Sequence, residues 1–278
     1  MANLEIAAPS PRVAHARSLW PLATLAQRRF RLTARTPREL IVPLLTPIMF
    51  ALVIAPSLKT ALHTGAPYES FVAIGTVGLL IPLNTMFAGL GVIVDRVSGA
   101  QRELLTAPVP RALLVLGNAL VALAITGLQV AVLLAVALAR GISFDATATG
   151  IAWFTGAAAL FALGMYGVAE TLANRVPRQE EYIARVPAIA ILPWFLAGAL
   201  FPITALPNAL TWVAKLLPLT HALAIMRYGL LQDSSGLHAI WGLDDPNAMA
   251  SLSLAVVGGF ALLLTLASIR AFSRSAVG

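Results

Sequence analysis

Two uncharged runs, Phe71 to Val94 and Ala112 to Ala139, bracket one short charged stretch, and that alternation leaves the chain few ways to fold. As a helix, each run is long enough to cross about 30 Å of hydrocarbon. A backbone that enters lipid must pair its amides within its own segment, which favours helices over any open sheet. The charged stretch between the runs therefore lies at one membrane face. The rest of the chain agrees: 59% of its 278 residues are hydrophobic and 11% are charged. With a mean hydropathy of +0.84, this is the balance of an integral membrane protein.

Within the charged stretch, Asp95, Arg96, Arg102 and Glu103 alternate in sign, while Val97, Ala100 and Leu104 recur at helical spacing. This pattern predicts a short amphipathic helix along the surface, from Asp95 to Thr106. Pro108 and Pro110 end it, because proline cannot continue the hydrogen-bond ladder and biases its predecessor away from helical angles. A rigid helix joined to two spans can pass a push to both. On the residues alone, an ordinary solvated loop with balanced charges remains the other reading.

Taken in order, the chain divides into a basic segment, residues 1–38, and a transmembrane domain, residues 39–278. The basic segment holds seven arginines, and about forty residues precede the first apolar run with no cleavage-like site, unlike a signal peptide. Leu19, Leu22, Ala26 and Phe30 share one helical face, so residues 18–36 are expected to lie in the interface. Six spans are expected. The first is Leu40 to Leu58, kinked by prolines. The second carries Asn84 and Thr85 near Pro82, the third Asn118, Thr126 and Gln129. The fourth, Ile151 to Ala169, places Gly156, Gly164 and Gly167 near one side, where small residues let another backbone approach. A second charged surface linker, Glu170 to Arg185, follows. The fifth span reaches about Ile203, and proline-cut interfacial helices continue to about Leu231, with Trp212, His221 and Tyr228 in the headgroup zone. A polar loop, Gln232 to Pro246, precedes the sixth.

Fifteen of the nineteen cations fall in the basic segment, the two charged linkers and the C-terminus. Lys59, Arg140, Lys215 and Arg227 fall on the other side. By the positive-inside rule both termini and both linkers are cytoplasmic. The net charge of +7 is thus spent on topology, and nucleic acid is discounted as a partner, leaving membrane lipids. Arginine outnumbers lysine seventeen to two and alanine is abundant, which points to a G+C-rich bacterial genome and hence to a bacterial inner membrane.

The chemistry of an enzyme is missing. There are no cysteines, and neither Lys59 nor Lys215 sits in a glycine-rich phosphate loop. The four histidines lack metal-helix spacing, and Asp244-Asp245 before Pro246 reads as a turn and helix start. No cofactor is expected on this chain. Drawn in this way, the spans hold no ionisable group of the kind that binds a coupling ion.

Asp95-Arg96, Gly99, Glu103-Leu104-Leu105, Pro108-Val109-Pro110-Arg111, Gly117 and Gln129 resemble the stretch between the second and third spans of ABC type 2 transporter permeases, the daunorubicin-resistance exporter branch in particular. Phe201-Pro202-Ile203-Thr204, Leu206-Pro207 and Pro218 through Arg227 resemble that family's re-entrant segment before the last span. The resemblance implies an all-α fold of six transmembrane helices, with a cytoplasmic amphipathic N-terminal helix, a coupling helix between spans 2 and 3, and re-entrant helices between spans 5 and 6. It also implies two copies of an ATPase subunit holding ATP and Mg, and a second permease, identical or related. Contact with the ATPase would fall to Asp95, Arg96, Gly99, Glu103, Leu104, Leu105, Pro108, Pro110 and Arg111. The cargo would be an amphiphilic drug, a lipid or a lipid-linked glycan, on a path past Asn84, Thr85, Asn118, Gln129, Trp194 and Phe195. The competing expectations are an ion-coupled secondary transporter and a membrane-embedded enzyme acting on lipids.

Overall fold

The structure, a computed structural model, describes residues 20–34, 67–106 and 109–275 and a few positions between 45 and 57. The expected first span, Leu40 to Leu58, lies almost entirely outside the described residues, as does Pro108. The described residues are helical throughout, with no strand. In chain order they form α1 (Trp20–Ala34), α2 (Pro67–Val97), α3 (Ala100–Thr106), α4 (Arg111–Ala139), α5 (Ala148–Arg175) and α6 (Gln179–Leu196). A 3-10 turn at Ile203–Ala205 leads to α7 (Asn208–Leu216), α8 (Pro218–Leu231), α9 (Ser235–Trp241) and α10 (Pro246–Ser275).

Among the described residues, α2, α4, α5 and α10 are long and apolar enough to cross a membrane, and α7 with α8, joined at 82°, makes a fifth crossing if taken as one broken span. At 31 residues α2 is about 46 Å long, so its ends project beyond the hydrocarbon. It is apolar on all sides because it is the axis of the bundle, packed by α4, α5, α6 and α8. Val72, Ile74, Val77, Leu80 and Met86 are fully enclosed. Pro82 removes one backbone donor midway, and nearby the Thr85 hydroxyl donates to the Ile81 carbonyl at 2.9 Å and to the Pro82 carbonyl at 3.1 Å.

Close helix crossings depend on glycine. A Cβ on Gly164 would strike the Phe260 ring, and one on Gly167 would meet the Leu264 backbone at 2.7 Å, so α5 and α10 pack backbone to backbone as the small residues predict. Gly156 does not share this role, since a Cβ there meets nothing. Further along α5, Gly150 lies against the Gly229 carbonyl of α8.

Several expected boundaries move. The fourth span does not end at Ala169: α5 continues through Glu170 to Arg175, and the second linker shrinks to Val176–Arg178. The reason is local, because Glu170 is fully buried and accepts hydrogen bonds from Tyr166 Oη at 2.7 Å and Asn174 Nδ2 at 3.2 Å, one turn to either side. A carboxylate satisfied by its own helix does not force the chain to the surface. The fifth apolar run ends as helix at Leu196, where Gly198 adopts φ 78° and breaks the ladder. The loop from Gln232 to Pro246 contains α9. As expected, Asp245 starts α10, its Oδ1 accepting from the Asn247 amide at 2.9 Å.

Candidate functional site: the charged end of the bundle

Asp95 and Arg96 do not open the amphipathic helix; they close α2, whose last residue is Val97. The break falls at Ser98-Gly99, with Gly99 at φ 81°, a left-handed angle that glycine adopts freely and a β-carbon resists. Only then does α3 begin. Pro110, with ψ 130°, makes the extended entry to α4, and Arg111 is the first residue of that helix.

The flanks of α3 are tied to three other helices. Arg96 donates from Nη1 to the Ala173 carbonyl at 2.8 Å and from Nη2 to the Val176 carbonyl at 2.6 Å, with Pro177 further off at 3.3 Å. These carbonyls lie at the end of α5, where helical partners run out and a cation is favoured by the helix dipole. Arg111 donates to the Ser273 carbonyl near the end of α10 at 3.0 Å. Asp95 pairs with Arg28 of α1 at 3.8 Å. The last turn of α2 and the first of α4 thus hold α1, α5 and α10 in register.

Between these ties, Leu104 and Leu105 turn inward on a small cluster with Leu114, Tyr166 and Phe272. Arg102 and Glu103 point outward and are exposed. The helix is amphipathic but shorter, and not on the whole of the expected face: Val97 ends α2 and is exposed, while Leu104 and Leu105 anchor and the ionised tips face out.

Behind α3 lies a narrow cleft of about 390 Å³, counting its open mouth. Its walls come from α1, α2, α3, α4 and α10, and Arg28, Asp95, Gln101 and Asn118 are its polar lining. Asn118 is thereby brought next to the coupling stretch, two groups of residues that the sequence offered separately. The other expected path residues are dispersed. The amide of Asn84 is buried on α2 without a hydrogen-bond partner. Thr85 is turned to its own helix. Gln129 is buried on α4. Trp194 is buried, its indole Nε1 donating to the Gly75 carbonyl at 2.7 Å, while Phe195 beside it is half exposed.

On α1, the residue that reaches the cluster is Leu25, and Phe30 is exposed, so the buried face is not the one drawn through Ala26 and Phe30. Leu19 lies outside the described residues.

Three ionisable residues are more buried than the sequence reading allowed, two of them toward the opposite end of the bundle. Arg227 of α8 is buried, donates to the Ala199 carbonyl at 3.0 Å and lies 3.4 Å from the centre of the Phe71 ring. His221 is enclosed by protein, its Nε2 2.9 Å from the Lys215 carbonyl and its Nδ1 3.1 Å from Ser253 Oγ. Trp212, by contrast, is largely exposed. Glu170 is the third, within α5. The helices that carry the apolar runs are therefore not free of buried ionisable groups. The signal in the sequence was spacing: Tyr166, Glu170 and Asn174 fall at i, i+4 and i+8. No group of three or more histidine or carboxylate side chains capable of holding a metal occurs among the described residues.

Comparison with known families matches residues 22–231 to the ABC-2 type transporter family. Comparison with curated proteins gives no match.

Proposed function

The chain belongs to the ABC-2 type transporter family, which makes it the multi-pass membrane component of an ABC transporter, and from that premise we propose that a separate ATPase drives it as an exporter by pressing on α3. The observation that carries this reading is the exposed pair Arg102 and Glu103 on a helix whose flanks are bonded to the ends of α5 and α10 and paired with α1. A displacement of α3 would move three helices together.

On this reading ATP and Mg are held by two copies of the ATPase, and a second permease, identical or related, completes the pathway. The subunit lies in a bacterial inner membrane with both termini cytoplasmic, and the sequence resemblance to the daunorubicin-resistance branch supports an amphiphilic cargo such as a drug, a lipid or a lipid-linked glycan. Asn118 beside the cleft and the buried amides of Asn84 and Gln129 support a path with few polar contacts. With the ATPase in proteoliposomes, export should require ATP and be indifferent to proton or sodium gradients; export driven by an ion gradient without ATP would contradict the reading.

Glu170 supports a second reading. A carboxylate buried within a span is where a coupling proton would bind. Its three-group network with Tyr166 and Asn174 supports a structural role instead. Glu170→Gln distinguishes them: the ATP-driven reading expects transport to retain its response to ATP, whereas proton coupling expects transport against a pH gradient to vanish.

A further inference from the structure

Side-chain hydrogen bonds and close glycine contacts group the helices into two bodies. In one, α6 and the turn after it are fastened to α2 at three levels: Tyr182 Oη donates to the Met86 carbonyl at 2.6 Å, Trp194 Nε1 to the Gly75 carbonyl at 2.7 Å, and Tyr68 Oη to the Leu200 carbonyl at 3.1 Å. In the other, α8 is fastened to α10 through His221 and Ser253 at 3.1 Å and through Tyr228 and Asn247 at 3.0 Å. There α5 also meets α10 closely at Gly164 and Gly167, and α8 at Gly150. The bodies face each other across a seam where Gly78 of α2 lies against Leu219 and Leu223 of α8, and Gly89 against the Ala169 methyl of α5. These apolar contacts carry no directional bond, so the packed helices can shear past one another there.

An arginine bridges the seam at each end. At the charged end Arg96 joins α2 to the end of α5 with two short bonds. At the opposite end Arg227 of α8 donates to the Ala199 carbonyl, in the turn after α6, at 3.0 Å, and more distantly to the Phe71 carbonyl of α2 at 3.5 Å, with its guanidinium over the Phe71 ring. Arg227 is buried, yet its Nε has no hydrogen-bond partner. A guanidinium taken out of water with so little compensation is costly, which makes this the weaker of the two clasps.

We propose that Arg227 is the clasp that opens during transport. Displacement of α3 shears α2 and α6 along the seam, the guanidinium leaves the Ala199 and Phe71 carbonyls, and the seam parts at the end remote from α3 while Arg96 holds the near end as a pivot. Arg227 is thus a positioning residue that touches no cargo. The inference rests on the reading that movement of α3 drives transport, and adds the place where that movement is released.

The chain has no cysteine, so one placed in the seam reports its opening. Leu223, one turn before Arg227 on α8, is fully buried against Gly78. The test uses Leu223→Cys in the full-length chain, assembled with the ATPase in proteoliposomes, with a membrane-impermeant maleimide on the face where Ser234→Cys reacts. Labelling should be at least about tenfold faster during ATP-driven export than without ATP. Adding Arg227→Met, which keeps the bulk and loses the donors, should give the fast rate without ATP. Ile93→Cys, buried near the charged end, should stay unlabelled throughout; labelling of both positions would mean a general loosening and overturn the proposal. A Leu223→Cys chain that exports with ATP and remains unlabelled would overturn it as well, whether or not Arg227→Met folds. So would a folded Arg227→Met chain whose Leu223→Cys stays protected without ATP. Failure of the coupling reading looks different: export that persists in Glu103→Arg, with Leu223→Cys still labelled during it, contradicts α3 as the point of entry and supports the clasp.

Discussion

Arg96 shows how much one side chain can do at a helix end. Its guanidinium satisfies the Ala173 and Val176 carbonyls at 2.8 and 2.6 Å, and no water or backbone donor can replace both at a packed junction without rearrangement. Arg96→Ala should cost about 2 kcal/mol, the scale of charge-assisted hydrogen bonds lost together with their desolvated acceptors. Arg96→Lys should recover only part, because an ammonium lacks the planar fork. Thermal unfolding of the purified variants checks both. Gly75 gives a contrasting case at the other end of α2. A Cβ there would run into the Ala199 carbonyl, the same oxygen that Arg227 holds, and backbone cannot swing aside as a side chain can. Gly75→Ala should therefore destabilise by about 1–3 kcal/mol, whereas Gly156→Ala, whose added methyl meets open space, should be neutral or slightly stabilising. Equal melting temperatures for the two variants would show that the turn after α6 is not seated on α2.

At the scale of elements, uncharged length was the most readable signal. It marked α2, α4 and α10 within a few residues, because a long apolar run in this composition has no other stable form. Charge was a poorer guide. Glu170 looked like the start of a surface linker, yet hydrogen bonds from its own helix neighbours keep it inside α5, and hydropathy does not register such local satisfaction. The burial of His221 and Arg227 was not legible for a related reason: they have backbone carbonyl partners at Lys215 and Ala199, which a side-chain pattern does not reveal. For the candidate site, the sequence offered the residues of the coupling stretch but drew a single helix from Asp95 to Thr106, across Gly99, where the structure has its break. It did not show which helices they hold, since Ala173 and Ser273 are remote in the chain and contribute only carbonyls. The break itself is testable. At φ 81° Gly99 has open space for a side chain but an unfavourable backbone, so Gly99→Val carries a strain of about 1–2 kcal/mol. The subunit should still insert and fold, while α3 is reoriented. The expected outcome is ATP hydrolysis by the assembled complex that no longer tracks transport; unchanged coupling would place the force elsewhere, most directly at Val176–Arg178.

For the whole molecule, the proposed orientation rests on where the cations sit, and the chain's lack of cysteine makes it easy to probe. Ser98 is exposed at the α2–α3 break, and Ser234 lies at the opposite end just before α9. In intact cells Ser98→Cys should be labelled only from the cytoplasm and Ser234→Cys only from outside; labelling of both from one face would refute the topology. The central claim, that α3 is where the ATPase acts, has a more direct measurement. Glu103 is exposed, and the side chains that anchor α3 are its leucines, so Glu103→Arg should insert and fold as wild type does. At a desolvated interface one reversed charge can cost several kcal/mol. Pull-down of the partner ATPase on Glu103→Arg, compared with Arg140→Glu at the far end of α4, decides the matter. The account predicts that Glu103→Arg loses the ATPase and transport while Arg140→Glu keeps both, and it would be contradicted by a Glu103→Arg subunit that binds the ATPase and transports as well as wild type.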